Sequence, residues 1–456
     1  MSAVASGAGV VTSREVCVPG VLAHYYPELT VLLRGVGERV STRLFQPGWS
    51  LPELDDRLVE FFAPSTMSWT ELGIHGETEL SLLDLRGNPG TRTTKTFASL
   101  LMVARAVAHI QATGDRIAIV TPSSANKATA LRDAVLRAIE TGLVSPEQLQ
   151  IVSLVPAQSQ PKLWDSALRS REYLARHNPI LVHRGGERAG VKTIVGEFAA
   201  SEADQVTRST GVKLWFTLAL DNYRVADAVR AFVEQDFLPA VPVRLHAHAV
   251  SSAFGLLGHA FGEEWRGRPG RAQYFLVQHL DTPDMVLDLY CDTFDRSRRP
   301  DYEFDPGSGL YRQDRDPHFP QWTHAVDEAL DPTFYTRAPA TSPTMKQLIR
   351  GAGGGGIVVS LYECLQRYAR IRALLSRSAV TLPSDPRELR EWSLVMAMTG
   401  VLNAIDRQVI PVGANVVVHA SGSYGIQDYT PIPAADLIEV RDSGELATQV
   451  TRAVTA

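Results

Sequence analysis

Lysine is scarce in this chain. Only six occur in 456 residues, at positions 95, 127, 162, 192, 213 and 346, so chemistry that needs an amine has few candidates. Cysteine is scarcer still: Cys17, Cys291 and Cys364 are odd in number and far apart, which excludes a disulfide framework and a cysteine-based zinc site. There is no excess of basic charge either. A formal net charge of −5 excludes a protein built to neutralise nucleic-acid phosphates. No apolar run approaches the ~20 residues of a membrane span, and the opening MSAVASGAGVVTSREVCVPG lacks both the basic and the long apolar parts of a signal peptide. Together with the cysteine usage, this leads us to expect a reducing, cytoplasmic setting and no membrane partner. What is present is globular: 45% hydrophobic and 21% charged residues leave no room for a largely disordered chain. The length predicts one very large domain or two to three interdigitated ones.

From residue 97 onward, helix and strand periods alternate. Phe97, Leu100, Leu101, Ala104, Val107 and Ile110 share one helical face, and Gly114 ends that helix. Strand-like runs follow at 116–121, 150–155, 179–183, 214–218, 243–250 and 274–278. Helical stretches fall at 127–140, 167–176, 222–234 and 256–264. Strands separated by a dozen or more residues with helices between them predict a mostly parallel, helix-covered α/β fold. Residues 291–345 break the rhythm with Pro300, Pro306, Pro317, Pro320 and Pro332, and the spacing predicts an irregular lid or interface insertion there. Order returns with helices over 361–375 and 388–403 and a strand over 415–420.

In open α/β sheets, ligands collect at the carboxyl ends of strands, where helix N-termini present free N–H groups. Three small polar turns have that context: Pro122-Ser-Ser-Ala-Asn126, Ser251-Ser-Ala-Phe-Gly255 and Ser421-Gly-Ser-Tyr-Gly425. A fourth segment, Asn88-Pro-Gly-Thr-Arg-Thr-Thr-Lys95, sets a lysine at the mouth of a helix. Both the positive helix end and partial burial depress its pKa and favour the neutral amine. The alternatives are a solvated capping lysine and ordinary N-cap turns.

Taken in order, the four segments resemble the fold-type-II pyridoxal-phosphate enzymes, the superfamily of tryptophan synthase β, threonine synthase and cysteine synthase. The lysine loop is similar to that family's Asn-Pro-Thr-Gly-Ser-Phe-Lys, with one or two extra residues and Thr96 where an acidic residue often follows. Ser123-Ser-Ala-Asn126 is similar to its Ser-Ser-Gly-Asn turn, and Asn126 lies 31 residues after Lys95. The resemblance implies a two-domain fold, with residues 97–210 as a small unit, 1–96 and 211–456 as a large one, and 291–356 as an insertion or lid. It implies pyridoxal 5'-phosphate as cofactor and Lys95 as Schiff-base lysine and proton shuttle. Asn126 would bond the cofactor's 3-hydroxyl, while Ser123, Ser124 and Ala125 would form the substrate-carboxylate turn. Ala125 departs from the family's glycine, and its methyl group stands where the backbone must approach the ligand.

For the phosphate, Gly351-Ala-Gly-Gly-Gly-Gly356 is tempting, but it follows a helix and precedes a strand, the wrong order for an anion cradle. Ser251, Ser252, Ala253, Phe254 and Gly255 follow a strand and open a helix, so the cradle is assigned there and the glycine run is read as a hinge or active-site loop. Ser421 would face the pyridine nitrogen, with Ser423 as the fallback. The expected reaction is β- or γ-elimination or replacement on an amino acid, in specialised biosynthesis, with a small nucleophilic co-substrate and a homodimeric assembly. The alternatives are a nicotinamide-dependent Rossmann-type oxidoreductase resting on the glycine run, and a non-catalytic binding protein of the same fold. No metal is expected: His246 and His248 share a strand face, but no third ligand lies nearby in sequence. Arg184 and Arg188 either reach an anionic substrate or solvate a loop, and Arg296, Arg298 and Arg299 read as a solvated face.

Overall fold

A computed structural model describes residues 15–38, 44–185, 190–217, 221–268, 270–331, 333–334 and 336–456. Arg188 and the first fourteen residues lie outside them. The aliphatic runs form two main sheets. In the seven-stranded sheet, Thr78–Asp84, Asn415–Ala420, Arg244–Ala249, Ala272–His279 and Gly354–Val359 run parallel in that spatial order. Met67–His75 and then Glu15–Val18 extend one edge antiparallel. The five-stranded sheet is parallel throughout, in the order Ile438–Glu439, Ile180–His183, Leu149–Pro156, Arg116–Pro122 and Val212–Phe216. Central strands such as Leu149–Pro156 are buried at every position, as expected of a parallel sheet covered by helices on both faces. The expected mostly parallel α/β architecture is therefore the one observed. Among the described residues, no helix is long and apolar enough to cross a membrane.

Strand pairing, rather than chain order, sorts the segments. Val212–Phe216 and Ile438–Glu439 hydrogen-bond into the five-stranded sheet, and the last helix, Ser443–Thr455, packs beside that sheet on Gly190–Ser201.

Several elements differ from their sequence reading. The lysine helix, Lys95–Thr113, is buried on every face from Thr96 to Val107, because it is wedged between the helices Asn126–Glu140 and Asp221–Asp227. Gly114 caps it at φ 74, a left-handed conformation that costs glycine little. The stretch 167–176 breaks into two short helices at Arg171, and 222–234 is interrupted at Ala228.

The glycine run is neither hinge nor active-site loop. Gly354 opens the edge strand Gly354–Val359, after a helix that ends at Ala352. A Cβ on Gly354 would overlap the Tyr274 carbonyl of the neighbouring strand, and one on Gly355 would lie 2.8 Å from the hydroxyl of Tyr290 on the helix Asp284–Cys291, so these glycines permit close packing against both.

The insertion also has structure of its own. Glu303–Asp305, Leu310–Arg312 and Trp322–Thr323 form a small antiparallel sheet, and the Gln313 amide donates to the carbonyls of Asp316, Phe319 and Pro320. Arg299 is not part of a solvated face: it donates to the Leu280 and Val326 carbonyls and pins the insertion down.

Candidate active site

The carboxyl ends of both sheets face one cleft of about 340 Å³. Into it come Thr93 to Lys95, the turn 122–126 without Ala125, all of Ser251 to Gly255, and Ser421. The sequence-derived segments are thus gathered on one site, not scattered over several faces.

Lys95 is the first residue of its helix, and its approach loop explains why. Asn88 accepts from the Gly90 N–H and donates to Asp133, and the hydroxyls of Thr91 and Thr96 meet at 2.6 Å. Thr96 therefore closes the loop from within. Thr94 N–H and the Thr93 hydroxyl both donate to the Ser421 carbonyl, which ties the lysine turn to the strand end at 420. Lys95 is half-buried, and the surface it keeps faces the cleft. Its Nζ lies 5.0 Å from the Tyr223 ring centroid. Burial pulls the amine's pKa down and the Arg230 charge pulls the same way, against the opposing pull of Asp227 and Glu391.

The turn at 123–126 is used differently from the sequence reading. Ser123 Oγ accepts from the N–H groups of Ala125 and Ala128, so it caps the helix Asn126–Glu140. Ala125 does not line the cleft; its side chain packs with Ala128, Val155 and Leu163. The N–H groups of Ser124, Asn126 and Lys127 meet no acceptor among the described residues. Asn126 is already engaged: its amide donates to Glu391 at 2.7 Å and accepts from the Tyr424 hydroxyl at 2.8 Å.

Opposite this turn, the helix Phe254–Trp265 begins after Ala253, which sits at φ 52. The N–H groups of Ala253, Phe254 and Gly255 find no acceptor among the described residues. Ser251 donates to Thr336, and the Ser252 carbonyl accepts from Thr341, so the insertion buttresses the turn. A Cβ on Gly255 would lie 2.8 Å from both Arg230 Nη2 and His248 Nε2. Ser421 offers its carbonyl to the lysine turn and keeps its side chain at the cleft wall, whereas Ser423 is not among the lining residues.

Sequence reasoning missed several of the residues that meet here. Arg230 is wholly buried, paired with Asp227 at 2.6 Å and bonded to Thr94. Tyr223 stacks on Phe254. Lys127 and Lys192 line the small-sheet wall, and Thr333, Phe334 and Thr336 arrive from the insertion. The scarcity of lysine was the one available signal, since three of the six meet in this cleft. Arg184 instead pairs with Glu439 on an exposed face and is absent from the cleft lining.

Beneath the site, His246 does acquire company: its donor atom and those of Glu234 and His259 lie within 4.8 Å of one another. Hydrogen-bond direction decides what the group can do. Arg230 has only donors, so the His419 Nδ1 it meets at 2.8 Å accepts. His419 Nε2 then donates to His246 Nδ1 at 2.9 Å, which leaves His246 Nε2 as an N–H facing Glu234 and not a metal ligand. Burial, and next the His259 charge, hold His246 neutral with a pKa near 3.

The site is thus a lysine-bearing cleft between two mostly parallel sheets, and the class is a two-sheet α/β protein whose strand ends converge on an amine. The chain belongs to a family of unknown function, DUF6002, which it matches over residues 17–454. No curated protein matches it. Among solved structures it is similar to a pyridoxal-phosphate-bound threonine synthase from Brucella melitensis, at 13% identity over 83% of this chain and 79% of that one, with a TM-score of 0.49. It is also similar to an O-acetylserine-dependent cystathionine β-synthase from Helicobacter pylori, at 14% identity over 79% and 91%, with a TM-score of 0.43. A diaminopropionate ammonia lyase from Escherichia coli is similar at 12% identity over 91% and 95%, with a TM-score of 0.46.

Proposed function

We propose that this chain binds pyridoxal 5'-phosphate at Lys95 and catalyses elimination or replacement at Cβ or Cγ of an amino acid. The observation that carries the reading is the Lys95 amine, depressed in pKa, in a cleft where the turns at 123–126, 251–255 and 421 meet. The residues present suit such a cofactor. Three N–H groups that meet no acceptor among the described residues open a twelve-residue helix, the Arg230 guanidinium stands beside Gly255, and about 340 Å³ accommodates a substituted ring with a small substrate. When bound, pyridoxal phosphate supplies an electron sink for charge developing at the substrate's Cα.

Each role falls to a group of this chain. Lys95 would hold the cofactor through its amine and, once displaced, take and return the Cα proton. The N–H groups of Ala253, Phe254 and Gly255, with Ser251 and Ser252 around them, would hold the phosphate. The N–H groups of Ser124, Asn126 and Lys127 would orient the substrate carboxylate, with Ser123 shaping that turn from behind. Asn126 keeps a second amide hydrogen for the ring hydroxyl. Ser421 would face the ring nitrogen; a hydroxyl does not hold that nitrogen protonated as a carboxylate would, which suits elimination and replacement. Thr333, Phe334 and Thr336 would exclude water from the insertion's side. On this reading a small nucleophile is the co-substrate of a replacement, and the assembly is a homodimer.

The test is a spectrum. Purified protein supplied with pyridoxal phosphate is expected to gain an absorption band at the edge of the visible that borohydride fixes and Lys95→Ala abolishes. A colourless protein that takes up none overturns the proposal. A band that no amino acid perturbs makes the chain a non-catalytic binder.

A further inference from the structure

Outside the cleft, the small-sheet part of the molecule holds a second cavity, of about 260 Å³. The helix Asn126–Glu140 and the strands Ile180–His183 and Ile438–Glu439 each contribute to its wall, and none of its lining residues lines the cleft. Its apolar side is formed by Ile180, Ile432 and Ile438, and its polar side includes Arg132 and the Arg169–Asp436 ion pair, closed at 2.7 Å. Arg132 is the residue that the fold leaves unserved. It is only 3% exposed, so its permanent charge has lost most of its water. Nη1 donates to the Asn178 carbonyl at 2.7 Å. The other edge of the guanidinium, Nε with Nη2, has no acceptor among the described residues, and no carboxylate pairs with it there. Asp165 is near enough to oppose the effect of burial on Arg132, but its oxygens are already taken: Oδ1 accepts from the Ser166 N–H and Arg169 Nε, and Oδ2 from Arg169 Nη2.

Elsewhere in this chain, that same edge is where carboxylates dock. Arg86 gives Nε and Nη2 to the two oxygens of Asp84 at 2.8 and 2.9 Å, and Arg169 does the same with Asp165. Arg132 presents the fork without the carboxylate. We infer that this cavity is a second ligand site, which takes a small carboxylate with an apolar body. Its two oxygens would accept from Nε and Nη2 of Arg132, a pairing that the planar guanidinium suits better than an ammonium does. The hydrocarbon part would lie against Ile180, Ile432 and Ile438, a burial that a bare inorganic anion cannot use. The inference stands apart from the cofactor assignment, since it draws on no residue of the cleft.

The test is calorimetric titration of the full chain as purified, with isovalerate and phenylacetate as probes and their amides and acetate as controls. At least one of the two probes is expected to bind about tenfold or more tightly than its own amide and than acetate. Arg132→Met is expected to weaken that binding about tenfold or more, and Arg132→Lys, which keeps the charge but not the fork, is expected to weaken it as well. Ile438→Trp fills the cavity from the half-buried edge strand while leaving Arg132 in place. It is expected to abolish binding, and it serves if the Arg132 variants do not fold. A wild type that binds neither probe, amides that bind as tightly as the acids, or an affinity unchanged in the folded variants overturns the site. Acetate binding as tightly as both probes overturns the assigned ligand class.

Discussion

Ala125 carries a conformation that its side chain resists. At φ 137 it lies in a region that glycine occupies freely and an L-residue does not, and it is fully buried. The sequence reading places its methyl group against the ligand; the folded chain turns it into an apolar cluster instead. The effect of the alanine is therefore strain rather than obstruction. Ala125→Gly is expected to stabilise the protein by about 1 kcal/mol, strain relief outweighing the lost methyl contact and the added freedom of the unfolded chain. Urea denaturation measures this, and a fall in the midpoint contradicts it.

Lys127 makes a second prediction at this scale. Between its pKa of about 7 in the folded chain and the ordinary lysine value of roughly 10.4, the unfolded chain holds a proton that the folded chain lacks. Stability of the unloaded protein therefore rises with pH across that window, by at most about 1.4 kcal/mol per unit. Lys127→Met is expected to flatten that slope in denaturation curves taken from pH 7 to 10.

At the scale of elements, the glycine run separates into two behaviours. Gly351 lies in the helix Ser342–Ala352 with open space where a Cβ would go, whereas Gly354 sits at φ 117 against the Tyr274 carbonyl. Gly351→Ala is expected to gain up to about 1 kcal/mol from helix propensity. Gly354→Ala is expected to lose about 2 kcal/mol or more from strain and overpacking. Thermal melts of the two variants check the pair, and similar shifts in both would contradict the strand assignment. This edge strand also removes the basis for a dinucleotide-binding reading, because a helix precedes the glycines where a strand would have to.

For the whole molecule, one buried ion group holds three distant segments together. Lys162, just after the strand Leu149–Pro156, meets Asp331 from the insertion and Glu391 from the large-sheet side, each at 2.9 Å. Glu391 in turn accepts from the Asn126 amide, so the ion group and the candidate site share one carboxylate. Burial alone would lower Lys162 and raise Asp331, but their mutual attraction wins, so the lysine is raised and the carboxyl lowered. The stabilisation is present between the ordinary carboxylate and lysine values, ~3.9 and ~10.4. It is lost as pH falls through the depressed Asp331 pKa or rises through the elevated Lys162 pKa. Lys162→Met, which strands two carboxylates, is expected to cost about 3–5 kcal/mol by denaturation at neutral pH. A loss under 1 kcal/mol would contradict this role.

How much of this was legible beforehand follows from which interactions are local. Apolar periodicity, Gly114 and the order of strands and helices are properties of neighbouring residues, so the parallel α/β class and the turns at 123–126, 251–255 and 421 could be read from the chain itself. Lys95 was legible because lysine is rare and a helix begins there. Other features depend on contacts between residues far apart in sequence: the burial of Arg230 against Gly255, the capture of Asn126 by Glu391, the turning of Ala125 away from the ligand, and the pairing of Ile438–Glu439 with Ile180–His183. The sequence by itself determined the elements and the amine. Only the tertiary structure decided which charges surround that amine, because a charge's partners are set by distance in space, which no local pattern records.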